Sequence, residues 1–318
     1  MTEGRATVNR RTAIAASLAA FATPVLGSPA AAQDRPLRLA TAPLDVSAEP
    51  YYAQEIGFFK RAGLTNVTLE TIPTGAAMAS AVAGGAIDIA ISNIISIAQA
   101  YQRKIPFTLI APAGLYSSSA PTSVLMVAKD SPFRTASDLN GKTLGASGLR
   151  GIAQFAPMAW IDDHGGKSST IKFVELTVPQ LLSAIPAGKV DGGLIIEPFI
   201  AEASKTMRVF ANCFDAIAPA FLISASFANL DWARAHPDVV KRYQTAIHET
   251  ALWANKNHNR TAEILIKVAN LKPDVIKSMN RIVYGERLDP AQVQPVIDTT
   301  AKYTGAPAFR AADLIFSS

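Results

Sequence analysis

The sequence contains one cysteine, Cys213, in 318 residues. No internal disulfide can form, so the fold must be held by an apolar core. Cys213 has no motif around it and reads as a buried thiol rather than a nucleophile. Histidine is almost as scarce: His164, His236, His248 and His258 are the only four. None forms an i, i+4 ligand pair with an acidic partner, which excludes the common helical zinc signature. The chain has no Gly-x-Ser-x-Gly elbow and no phosphate loop. Charge is also modest, with a net +5 and no run of basic residues interleaved with aromatics. Nucleic acid is therefore not an expected partner. Beyond the N-terminus, no stretch reaches membrane-span length without a charge or proline.

The N-terminus reads as an export signal, residues 1–32. Arg5, Arg10 and Arg11 form a basic front, residues 13–26 are apolar and uncharged, and Ala30-Ala31-Ala32 offers a cleavage site. Arg10-Arg11 is placed for the twin-arginine route, but Ala13 stands where Phe is commonest, so the general secretory route stays open. Removing Glu3 and the three arginines would take the net charge from +5 to +3. The expected product is periplasmic and monomeric.

The remainder repeats itself. Shifting the sequence by 103 positions brings Gly63 onto Gly166, Thr74 onto Thr177, Gly85 onto Gly188 and Asp88 onto Asp191. Each block runs in the same order. A helix ends at Gly63 or Gly166, where a left-handed cap is expected. An apolar strand comes next, "NVTLETI" (66–72) or "IKFVEL" (171–176). A short helix then ends near Gly85 or Gly188, and "IDIAIS" (87–92) or "VDGGLII" (190–196) forms the next strand. Continuous apolar strands joined by helices predict parallel strands buried on both faces, in two similar α/β lobes. "LRLATA" (37–42) and "GKTLGAS" (141–147) add a strand before each block, and 107–114 and 122–130 read as strands between the blocks. After about residue 220 the pattern turns helical, with no sheet of its own. In 236–258, Val239, Val240, Tyr243, Ala246, Ile247, Ala251 and Ala254 share one helical face. This tail is expected on the first lobe. The chain would then cross between lobes near 120–124 and 217–222, a two-strand hinge.

"PYYAQEIGFFKRAGLTNVTLE" (50–70), "AGGAIDIAISN" (83–93), "SPFRTASDLNGKTLGA" (131–146), "LLSAIPAGKVDGGLIIEPFIAEA" (181–203) and the helical stretch 236–265 occur in that order. Together they resemble the ABC-importer substrate-binding proteins of the nitrate/sulfonate/taurine group, which also contains binders of a thiamine pyrimidine precursor. The resemblance covers nearly all of the chain after residue 33. It implies an α/β, two-lobed type II periplasmic-binding-protein fold with a two-strand hinge and a C-terminal helical segment packed on lobe one. The implied limits are 33–122 and 219–318 for lobe one and 123–218 for lobe two. It also implies a small-molecule ligand, an ABC permease as partner and no cofactor. A fungal pyrimidine synthase resembles the same group but carries a cysteine-rich motif that one cysteine cannot supply. A ligand-presenting sensory domain is a further alternative.

Ligands of open α/β sheets bind at the carboxyl ends of strands, against helix N-termini. The candidates after strands in lobe one are therefore Asp45, Thr74, Gly75, Ser92 and Asn93, of which Thr74 and Asn93 can equally cap helices. In lobe two, Ser147 and Arg150 could receive a carboxylate or sulfonate. Glu197, before Pro198, could hold an amine or hydroxyl, or cap the next helix. Tyr116, near the first crossing, could stack on a ligand or cover the hinge. The expected ligand is a small organic anion such as a sulfonate or carboxylate.

Overall fold

The computed structural model describes residues 35–317; the expected export segment lies outside the described residues. The chain first lays down β1 (Leu37–Thr41), β2 (Val67–Thr71), β3 (Ile89–Asn93), β4 (Phe107–Pro112) and β5 (Gly114–Ser117). It then forms β6 (Ser123–Ala128), β7 (Thr143–Ala146), β8 (Lys172–Glu175), β9 (Gly192–Ile196) and β10 (Met207–Ala211). It returns through β11 (Ala220–Leu222) and β12 (Ser224–Asn229), and β13 (Val283–Tyr284) comes late.

These strands build two five-stranded sheets of matching design, ordered β2-β1-β3-β12-β4 and β10-β6-β9-β7-β8. Three strands are parallel in each, and the partner of β3 or β9 on its other side runs antiparallel. A third sheet, β11-β5-β13, sits beside the two places where the chain passes from one large sheet to the other. The expected two-lobed α/β architecture is thus present.

The repeat has a physical basis at each landmark. Thr74 and Thr177 both cap helices: their hydroxyls accept N–H bonds from Ala77 (3.3 Å) and Gln180 (3.4 Å). Asp88 and Asp191 tie the start of each inner strand to its neighbour. Asp88 accepts the Arg38 N–H (2.9 Å) and donates its own N–H to the Arg38 carbonyl; Asp191 does the same with Thr143 (2.8 Å). Gly85 and Gly188 take left-handed φ values of 70° and 66°. Gly63 is left-handed as expected, but Gly166 is not. The left-handed residue there is Gly165 (φ 84°), and Gly166 is small for another reason. A Cβ on it would lie 2.6 Å from Ile161 Cγ2 and 2.9 Å from the Ala136 carbonyl.

The tail departs from expectation in one respect. Residues 220–229 are not helical but form β11 and β12, and β12 lies inside the first sheet between β3 and β4. "SASFAN" is short and poor in β-branched residues, so its strand character comes from burial between two partners rather than from propensity. The helix Pro237–Ala254 buries Val240, Tyr243, Ala246, Ile247, Ala251 and Ala254 and packs on the helix Glu49–Ile56 of lobe one. The helix Pro290–Thr304 packs on the helix Ile94–Gln102 and also reaches the helix Ile152–Asp163, where Tyr303 OH donates to Asp162 (2.9 Å).

Candidate functional site

A cavity of about 210 Å³ lies between the two large sheets. The carboxyl ends of strands from both sheets reach it: Ala42 after β1, Ser92 and Asn93 on β3, Ser147 after β7, and Ile196 and Glu197 at the end of β9. Ligand sites form at such ends because parallel strands leave their last polar groups there, beside helix N-termini. Three helices begin at the wall. Gly75 opens Gly75–Ala83, Asn93 caps Ile94–Gln102, and Ile152 opens Ile152–Asp163.

Two wall atoms stand out chemically. Ser92 is 5% exposed and its Oγ has no hydrogen-bond partner. Gly75 leaves the space in front of it open, since a Cβ there would lie 2.6 Å from Ser92 Oγ. On the other side, Glu197 Oε1 accepts the Asn280 N–H (2.9 Å), while Oε2 is buried without a partner. Burial raises the Glu197 carboxyl above its usual range, against the N–H groups of Asn280 and Ile200, which lower it. A buried polar atom without a partner costs roughly 1–3 kcal/mol, so each of these oxygens favours any ligand group that satisfies it.

The remaining expected residues divide between the wall and its surroundings. Asp45 lines the cavity, but its carboxylate is held by Arg281 through two bonds (2.8 and 2.9 Å) and by the Ile282 N–H (3.0 Å). Burial would lower the Arg281 guanidinium, but the Asp45 hydrogen bonds and charge outweigh it and raise it. Tyr284 OH donates to the Asp45 carbonyl, closing the cluster. Asn93 lines the wall while its Oδ1 accepts the Ser96 N–H (2.9 Å). Ser147 lines the wall and is exposed. Thr74, Tyr116 and Arg150 do not line it. Thr74 is a helix cap. Tyr116 is fully buried against Phe214 and Phe221 and donates to Asp215 (2.7 Å). Arg150 is exposed in a left-handed conformation (φ 58°), and its carbonyl accepts from Gln99 Nε2 (2.5 Å) across the cleft. Among the described residues, no lysine or arginine lines the cavity.

Sequence reasoning missed Asn280 and Arg281. They sit in "SMNRI" (278–282), which has neither period nor turn signature. Yet this segment reaches the first crossing and the end of β9: Asn280 bonds to Glu197 and, through Nδ2, to the Pro121 carbonyl (2.9 Å). Cys213 is buried and burial raises its thiol, so it offers no exposed nucleophile.

Several solved structures with this fold are described as solute-binding proteins. The periplasmic aliphatic sulphonate-binding protein SsuA from Escherichia coli superposes with a TM-score of 0.74 at 18% identity, covering 88% of this chain and 92% of its own. The alkanesulfonate-binding protein SsuA from Xanthomonas axonopodis pv. citri, bound to MOPS, gives 0.72 at 18% identity, covering 89% and 98%. The periplasmic nitrate-binding protein NrtA from Synechocystis PCC 6803 gives 0.63 at 13% identity, covering 75% and 68%. At these identities the likeness is one of fold. No curated protein sequence matches the chain. The NMT1/THI5-like family model matches residues 46–260, well over half of the sequence. The two matched sheets, the cleft between them and this match together place the chain in the NMT1/THI5-like family.

Proposed function

We propose that the chain is a periplasmic solute-binding protein that captures a small organic molecule between two lobes and delivers it to an ABC permease. The observation that carries this reading is the cavity itself, lined from both sheets and holding the unpartnered Ser92 Oγ and Glu197 Oε2. In this reading lobe one is 33–122 with 219–318, lobe two is 123–218, and residues 1–32 are removed on export. Gly75, Ser92, Asn93, Ser147 and Glu197 form the contact set, with Asp45 and Thr74 holding the walls. No reaction step is assigned to any residue. Calorimetry on the chain from residue 33 tests the proposal, using organic acids, sulfonates, amines and pyrimidines. Saturable one-to-one binding without turnover is expected. Turnover of any of these compounds, with no saturable binding, would contradict it.

An anionic ligand, as in the sulfonate and nitrate binders above, is the second reading. The three helix N-termini at the wall favour it. Each is worth about 0.3–1 kcal/mol to a negative group. Weighing against this, an oxyanion 4 Å from an ionised Glu197 would meet about 4 kcal/mol of repulsion at an effective dielectric of 20, with no wall cation to offset it.

A further inference from the structure

The chemistry of the wall narrows the ligand class, provided that the cleft is the binding site, as proposed above. Three observations bear on it. The wall carries two carboxylates, Asp45 and Glu197, and no lysine or arginine among the described residues. Asp45 is neutralised by Arg281, so Glu197 is the wall's one carboxylate without a basic partner. Its Oε2 is buried and unpartnered, and an ionised carboxylate only accepts hydrogen bonds. Across the cavity, Ser92 Oγ is likewise buried and unpartnered, and Gly75 puts no side chain against it, since a Cβ there would lie 2.6 Å away. Between them the surface is largely aliphatic: Leu44, Met78, Ile91, Ile152, Leu194 and Ile196.

We propose that this cleft selects a small organic molecule with an apolar body and a hydrogen-bond donor, an amine, amide or hydroxyl, which binds Glu197 Oε2 while its far end meets Ser92 Oγ. Oxyanions are disfavoured because Glu197 repels them and no wall cation receives them. Asn280 acts as a positioning residue. Its N–H occupies Oε1, so that Oε2 is the oxygen left for the ligand. Selectivity arises because a site built around a buried acceptor rejects any ligand that cannot donate to it.

The test is ligand-observed NMR on the chain from residue 33, with a fragment set split equally into two groups. One group holds small amines, amides and alcohols; the other holds carboxylates and sulfonates on the same apolar bodies. Binders are expected in the first group, competing for one site. The best of them should lose about tenfold or more in affinity in Glu197→Gln, in which a donor replaces Oε2 and Oε1 still accepts the Asn280 N–H. Gly75→Ala is a second arm, remote from Asn280. Its methyl crowds Ser92 Oγ and should weaken the same binder by a similar factor. Carboxylates or sulfonates binding as well as their donor counterparts would overturn the ligand class while leaving the solute-binding function intact. So would a best donor unaffected by both variants. No binder in either group would overturn the function and the class together.

Discussion

Glu49 shows how one buried group can act on the whole fold. It is fully buried at the start of the helix Glu49–Ile56, and neither carboxyl oxygen has a partner. Burial raises its pKa well above the usual carboxylate value, because ionising it there leaves an unsolvated charge. Between the unfolded value, about 4.3, and the raised folded value, the folded chain holds the proton more tightly. Stability contributed by this group is therefore complete at low pH and declines as pH rises through that window, by about 1.4 kcal/mol per unit. Glu49→Gln keeps the shape and removes the titration. Calorimetric melting should show the variant matching the parent near pH 4 and exceeding it increasingly toward pH 7. An equal difference at both pH values would show that Glu49 binds its proton equally well in the folded and unfolded chain.

Within the elements, the repeat explains both what the sequence revealed and what it hid. The shared landmarks can be read from sequence because each does one local job that only certain residues can do: Thr caps a helix, Gly turns left-handed, Asp ties two strand starts. The differing segments answer to packing partners that are far apart in sequence. "VDGGLII" has two glycines because Cβ atoms on Gly192 and Gly193 would each lie 2.8 Å from a carbonyl of a neighbouring strand, Met126 or Gly145. Gly145 leaves room for Leu181 of the helix Val178–Ala184, whose Cδ2 would stand 2.2 Å from an added Cβ. Gly145→Ala is therefore expected to destabilise the fold by about 1–3 kcal/mol, read as a lower urea midpoint at unchanged slope. An unchanged midpoint would mean that Leu181 relocates freely. The same non-local dependence explains why the sequence pattern does not announce β11 and β12. It also explains why Tyr116, which looks free to meet a ligand, is enclosed by Phe214 and Phe221, and why Asn280 and Arg281 carry no signal of their own.

For the whole molecule, the lobes are joined by two chain crossings and by several non-covalent links, among them Tyr303 to Asp162, Gln99 to Arg150, and one that runs through Asn280 and Arg281. Arg281 anchors this last link on Asp45 of the first lobe, and Asn280 extends from it to Glu197 of the second lobe and to Pro121 at the first crossing. The Arg281–Asp45 side chains are only 12% and 8% exposed. Removing one partner of such a pair leaves the other charge buried alone, at a cost of about 3–5 kcal/mol. Arg281→Ala should lose stability on that scale in urea unfolding and should also weaken ligand binding, because Asn280 and hence Glu197 lose their support. A variant that loses stability but keeps full affinity would separate the anchor from the site. If both lobes hold one ligand through Ser92 and Glu197, a crystal structure with the best binder from the fragment set will show it. The ligand is expected between the two large sheets, with a donor atom within hydrogen-bond distance of Glu197 Oε2 and a polar atom near Ser92 Oγ. A ligand seated elsewhere, on the exposed Arg150 for example, or touching one lobe only, would contradict that arrangement.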